Sequence, residues 1–159
     1  MSQPGPASVE ASVTIAADPA AVYALITDLP TLAGLAEEAD AMEWHKGDCV
    51  ECGAVFKGHN SNRGKKWTTT CTVTDAERGR VFAFDVKSLT VPVAHWRYDI
   101  EAADGGCTVT ERTWDLRPGW FRKVAGLATG VHDRKTANTE HIRRTLARLK
   151  AKAEAASPV

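Results

Sequence analysis

The sequence has little of what would mark a secreted scaffold, a membrane span or a nucleic-acid binder. Four cysteines occur in 159 residues, Cys49, Cys52, Cys71 and Cys107. They are too few for a disulfide framework in a chain of this size, and a reducing compartment keeps them as thiols. No apolar run approaches the roughly 20 residues needed to cross a bilayer. The opening Met1-Ser-Gln-Pro-Gly-Pro6 has neither the basic nor the apolar region of a signal peptide, so the expected location is cytoplasmic. Net charge is also missing. The 20 basic residues balance 20 acidic ones, so no global field draws nucleic acid, an anionic membrane or an acidic substrate. The expected partner is a small molecule, with neither nucleic-acid binding nor membrane insertion.

Familiar catalytic apparatus is absent as well. The sequence contains no Gly-x-Ser-x-Gly, Gly-x-Gly-x-x-Gly, phosphate loop or His-Glu-x-x-His. Serine hydrolase, dinucleotide, nucleotide and zincin readings therefore lack their usual physical means, and no cofactor is expected.

What is present is a strong alternation of periods. Residues 1–8 form a Pro/Gly-rich tail, and 9–155 are read as a single domain, since two would each be marginal at this length. Val9, Ala11, Val13 and Ile15 alternate with Glu10, Ser12 and Thr14 at strand period. Asp18-Pro19 then has the chemistry of a helix start. Pro30 is expected to interrupt that helix, with a second short one from Thr31. From Ala39 to Leu116, six β-rich runs are separated by turn clusters. Trp67, Thr69, Cys71 and Val73 share one face, as do Phe82, Phe84 and Val86, and Trp96, Tyr98 and Ile100; Thr68, Thr70, Asp85, Arg97 and Asp99 take the other. One sheet face is buried and the other wet. After Pro118-Gly119 the period becomes helical. Val124, Ala128, Val131, Asn138, Ile142, Leu146 and Leu149 form a stripe, which predicts one helix of more than thirty residues ending near Ala153.

This element order, with Ala16-Ala-Asp-Pro-Ala-Ala-Val-Tyr-Ala-Leu-Ile-Thr-Asp28, Gly53-Ala-Val-Phe-Lys-Gly-His-Asn60, Trp67-Thr-Thr-Thr-Cys-Thr-Val-Thr74 and Gly105-Gly-Cys-Thr-Val-Thr-Glu-Arg-Thr-Trp114, resembles the START-like (SRPBCC, helix-grip) superfamily. Within it, the chain resembles the polyketide cyclase/dehydrase-like branch over nearly its whole length. The resemblance implies an α+β helix-grip fold: a curved seven-stranded antiparallel sheet wrapped around a long C-terminal helix, with two short helices after the first strand. It also implies a cavity between sheet and helix, used in different members for lipids, polyketides, hormones or aromatic compounds. One scaffold hosts carriers, sensors and enzymes, so fold alone leaves the chemistry open.

Inward strand faces direct Phe56, Trp67, Phe82, Phe84, Trp96 and Tyr98 toward the helix, as walls for a flat hydrophobic ligand or simply as core. Thr113 and Val131 join this candidate lining. Asn60 and Asn138 are candidate hydrogen-bonding groups for a ligand oxygen, or partners of nearby backbone. Glu111 shares parity with Val109 and Thr113. An inward register would bury its carboxylate, raise its pKa and make it a candidate acid or base; a bulge or reversed register would expose it. Lys135 and His132 lie near the helical stripe and are read as parts of a solvated face. His45, Cys49 and Cys52, with His59 farther on, have the ligand types of a zinc knuckle. The resemblance places them across a strand–loop–strand connection, and His59 has the parity opposite to Phe56 and Asn60, so no metal is expected.

Three functions follow. The first is binding of a small hydrophobic molecule in the cavity. The second is a cyclase- or aromatase-like enzyme in which Glu111 moves protons while Asn60 or Tyr98 orients a carbonyl. The third is a protein-interaction module with a closed core.

Overall fold

Residues 5–130 and 133–156 are described by the computed structural model of the chain. Strand β1 (Val9–Ile15) follows the expected alternation, burying Val9 and Ile15 while Glu10, Ser12 and Thr14 face solvent. Helix α1 (Pro19–Ile26) starts where Asp18 accepts from the Ala20 amide at 2.8 Å, satisfying one of the amides that a helix start leaves unpaired. The next helix begins earlier than Thr31. Asp28 caps α2 (Leu29–Leu35) through the Thr31 amide and hydroxyl, and Pro30 sits in the first turn. A first-turn amide has no intrahelical partner to lose, so proline opens this helix rather than breaking it.

Six further strands follow: β2 (Ala39–Lys46), β3 (Val55–Asn62), β4 (Lys65–Glu77), β5 (Val81–Ser88), β6 (Val91–Ala103) and β7 (Gly106–Asp115). With β1 they form one antiparallel sheet in the order β1-β7-β6-β5-β4-β3-β2. The concave face carries the core, where Phe56, Phe82, Val73 and Val109 are buried with Ile15, Val22, Ile26 and Leu32. Each such side chain contributes about 1.5–3 kcal/mol by leaving water. The convex face holds paired charges: Arg97 and Arg112 both reach Asp99 at 2.9 Å, and Arg112 also reaches Glu10. His95 is the exception on that face, buried beside Trp114 and hydrogen-bonded to Asp85 at 2.7 Å.

The helical stripe at the C-terminal end is two helices rather than one. Helix α3 (Gly119–Thr129) ends at Gly130, which takes a left-handed φ of 73°, and α4 (Arg134–Ala156) follows. Glycine enters that conformation without steric penalty, which is why it stops helices. The break also changes the facing of α3. Val124 and Ala128 are exposed, while Ala125, Gly126 and Thr129 are buried. In α4 the expected stripe holds at Asn138, Ile142, Leu146 and Leu149, extended by Thr145 and Ala153. This helix lies along β1 and is flanked by α1 and α2. Its C-terminal half is tied by Arg148 donating to the Leu35 carbonyl and Lys150 to the Thr14 carbonyl. Among the described residues no helix is long and apolar enough to cross a membrane.

Candidate functional site

Strand parity builds the site. Because side chains alternate across a strand, Trp67, Phe84, Trp96 and Tyr98 point from β4, β5 and β6 into the same space, and Asn60 and Glu111 join them from β3 and β7. The space is a pocket of about 240 Å³ bounded by these strands, α2, α3 and α4. Phe121, Ala125, Ala128 and Thr129 of α3 form one wall, and Asn138, His141 and Thr145 of α4 another.

Glu111 is the chemical singularity. It lies opposite Tyr98 in the β6–β7 register, and only 2% of it is exposed. Burial without a cation raises its pKa to about 8, and hydrogen bonding from the Tyr98 phenol offsets part of that. Its Oε2 has no hydrogen-bond partner among the described residues. Tyr98 is itself pushed well above the usual phenol range, by burial first and then by the neighbouring carboxylate. Cys71, another lining residue, is raised to about 12 by burial, so its thiol stays protonated and poorly nucleophilic.

The other lining carboxylates are neutralised. Glu38 Oε1 accepts from Arg134 Nη1 at 2.5 Å and lies 3.4 Å from His141 Nδ1. Glu37 pairs with Arg148 at 2.7 Å, and Asp115 pairs with Arg117 at 2.8 Å. Desolvation lowers the His141 pKa, against the pull of Glu38, so the imidazole is neutral near pH 7. The pocket is thus aromatic and apolar over most of its wall, ringed by compensated charge, with one lone acid in its buried sheet wall.

Of the residues singled out in the sequence, Asn60, Trp67, Phe84, Trp96, Tyr98, Glu111 and Asn138 line this pocket. Phe56, Phe82 and Thr113 do not; they are fully buried in the packing behind it, and the Thr113 hydroxyl oxygen has no partner among the described residues. Val131 and His132 lie outside the described residues. Lys135 is exposed. The knuckle residues are dispersed: His45, Cys49 and Cys52 are exposed, while His59 engages Glu43 at 2.8 Å. Among the described residues no group of three or more His, Cys, Asp or Glu side chains is arranged to hold a metal.

Sequence reasoning missed Arg134, His141 and Thr145. Their signal was present, because with Asn138 they recur at helical spacing along α4 and form a polar insertion beside its apolar stripe. Glu38, Arg117 and Phe121 gave no such signal, since they sit at element ends where no period applies.

An antiparallel sheet gripping a terminal helix, with a lined pocket between them, defines a helix-grip protein. The chain belongs to the polyketide cyclase / dehydrase and lipid transport family, whose model matches residues 6–154. It is similar to a polyketide cyclase-like protein from Corynebacterium glutamicum, at 26% identity and a TM-score of 0.63, covering 96% of this chain and 94% of that one. It is also similar to a Chromobacterium violaceum protein at 14% identity and a TM-score of 0.69, covering 92% and 96%. The di-domain aromatase/cyclase of the steffimycin biosynthetic pathway aligns at 14% identity and a TM-score of 0.72, over 92% of this chain and 50% of that one. The latter two likenesses speak to fold alone. No curated protein sequence matches the chain.

Proposed function

We propose that the protein binds a small hydrophobic molecule in the pocket between the sheet and the terminal helices, with a polar atom of the ligand against Glu111. The observation that carries this reading is the wall of Trp67, Phe84, Trp96 and Tyr98 around one buried carboxylate whose Oε2 is unpartnered among the described residues. Ligand sites are mostly apolar with a few convergent polar groups, and an unpaired buried oxygen gains when a ligand supplies its partner. At about 240 Å³ the space falls below the ~300–1,000 Å³ of common small-molecule sites. This favours a compact aromatic or short acyl compound over a large polycycle. The open pocket also weighs against an interaction module, which would need a closed core. Native mass spectrometry of gently purified protein tests the proposal. Extra mass released on activation, of a size suited to the pocket, supports it; apo protein that binds no member of a panel of compact hydrophobic compounds rejects it.

A second reading, acid–base catalysis, is supported by the same carboxylate. With its pKa raised to about 8, Glu111 holds a proton near pH 7 and is placed to give it to a carbonyl oxygen on a bound ligand. Glu111→Gln keeps shape and removes ionisation, so unchanged turnover of an identified substrate would reject proton transfer by this residue.

A further inference from the structure

Helix α3 presents two faces of different character. Phe121, Ala125, Ala128 and Thr129 line the pocket. Trp120, Val124 and Leu127, spaced four and three residues apart on one stripe, are 62%, 54% and 71% exposed. Folding normally buries such a stripe, and a large exposed apolar cluster marks an interaction surface.

Two neighbouring turns extend this surface. At the α3 C-terminal end, Lys65 donates to the Leu127 carbonyl and Asn62 to the Thr129 carbonyl, which places the β3–β4 turn beside the helix. At its N-terminal end, Leu116 donates to the Val93 carbonyl, and Ser88 and Val93 share the pocket lining with Phe121. The β5–β6 turn therefore sits at that end. Its tip is Leu89, 91% exposed and at a φ of 55°, a conformation disfavoured for a branched side chain. A leucine there packs against nothing that would repay its exposure.

The charges around these apolar points have one sign. Residues 116–130 contain no acid. Arg122 and Lys123 on α3, Arg63 in the β3–β4 turn, Lys65 and Lys66 at the start of β4, and Lys87 near Leu89 are exposed. The nearby acids are engaged: Asp115 by Arg117, with Arg122 at 3.8 Å, Asp133 by the amide and hydroxyl of Thr136, and Asp40, beside the end of β3, by the Ser61 hydroxyl. The zero net charge of the chain conceals this local segregation.

We infer that the outer face of α3, with the β3–β4 and β5–β6 turns, docks on an anionic membrane surface. Tryptophan and leucine entering the headgroup boundary from a short helix rimmed by lysine and arginine is the arrangement by which amphipathic helices lie on a bilayer without crossing it. The apolar points sit on separate elements, which suits a deformable lipid surface better than the fixed relief of an acidic protein. Docking also brings the α3 wall of the pocket to the lipid, so a hydrophobic ligand exchanges there without crossing water.

Co-sedimentation of the full chain with vesicles tests this without any pocket ligand. The protein should pellet with phosphatidylcholine vesicles containing phosphatidylglycerol, remain in solution with phosphatidylcholine alone, and be released by high salt. Lys123→Glu should weaken binding at least about fivefold, the effect of one basic residue near such a surface. The double variant Trp120→Ser, Leu127→Ser should abolish it while circular dichroism stays unchanged. Equal binding to both vesicles, binding indifferent to these substitutions, or retention on an acidic protein but on no vesicle would overturn the inference. Thr145→Phe, which fills the pocket from α4, should leave vesicle binding intact, so failure of the pocket reading and failure of this one are separable.

Discussion

Tyr98 and Glu111 face each other across the β6–β7 ladder, two acidic side chains buried together with no cation between them. The cross-strand pair stands where the sheet passes from packed core to pocket wall. Phe82 stacks on Tyr98 from the core side, their ring centres 6.3 Å apart, while both Tyr98 and Glu111 border open space. Holding a carboxyl group there opposes folding whenever it ionises. Such an expense in an otherwise apolar wall supports the proposed ligand contact at Glu111.

The pH dependence of stability follows from this pair. The folded pKa of Glu111, about 8, lies above the ordinary value of 4.5, so the folded state binds its proton more tightly. Its favourable contribution is complete below about pH 4.5 and is lost as pH rises through about 8. Glu111→Gln removes this dependence. Against wild type, the variant should gain stability steadily across that window, by an amount on the order of 5 kcal/mol at about 1.4 kcal/mol per pKa unit. Urea denaturation at a series of pH values measures the difference. Parallel curves for the two proteins would place Glu111 in water.

The clasp of Glu38 with Arg134 ties the end of α2 to the start of α4. Both groups are largely buried, at 13% and 17% side-chain exposure. Arg134→Ala should destabilise by about 1.5–3 kcal/mol, the range for hydrogen bonds to charged groups. The loss also frees Glu38 beside His141 and should raise the imidazole pKa, read by NMR titration. An unmoved His141 resonance would contradict the arrangement.

Two glycines make a matched test of the backbone. A Cβ on Gly106 would run into the Ile15 carbonyl and crowd Ala16 and Ala17, where β7 meets β1; Gly106→Ala should be strongly destabilising in thermal melts. At Gly34, in α2, an added methyl would meet nothing within 4 Å. Gly34→Ala should stabilise by about 1 kcal/mol, the difference in helix propensity. Similar melts for the two variants would refute this register.

Much of this was legible because it is periodic. The β1 alternation, the Asp18-Pro19 helix start and the inward set of Trp67, Phe84, Trp96 and Tyr98 each follow from local pattern or local chemistry, and such signals survive without knowledge of neighbours. The Glu111 register was open in the sequence and became definite only when β7 paired with both β1 and β6. The α3–α4 break illustrates the opposite limit. Gly130 stood in a stripe whose 3.6-residue period ran past it, and the stop depends on a left-handed backbone that the pattern does not encode. Phe56 and Phe82 shared parity with the pocket rings, yet parity tells which face a ring occupies and not whether its neighbours leave space. The charged ring of Glu38, Arg134 and His141 joins elements about a hundred residues apart, beyond the reach of any local signal.

The most direct test is a fluorescence titration with phenyl-naphthylamine, a compact neutral probe that brightens in apolar surroundings, against wild type and Ala128→Phe. Ala128 borders the pocket yet is exposed, so the larger ring can enter the space without disturbing the core. Saturable binding of one probe per wild-type molecule, lost in a folded Ala128→Phe protein, is the expected result. Equal binding in both proteins, or none in either, would contradict a ligand pocket between the sheet and the terminal helices.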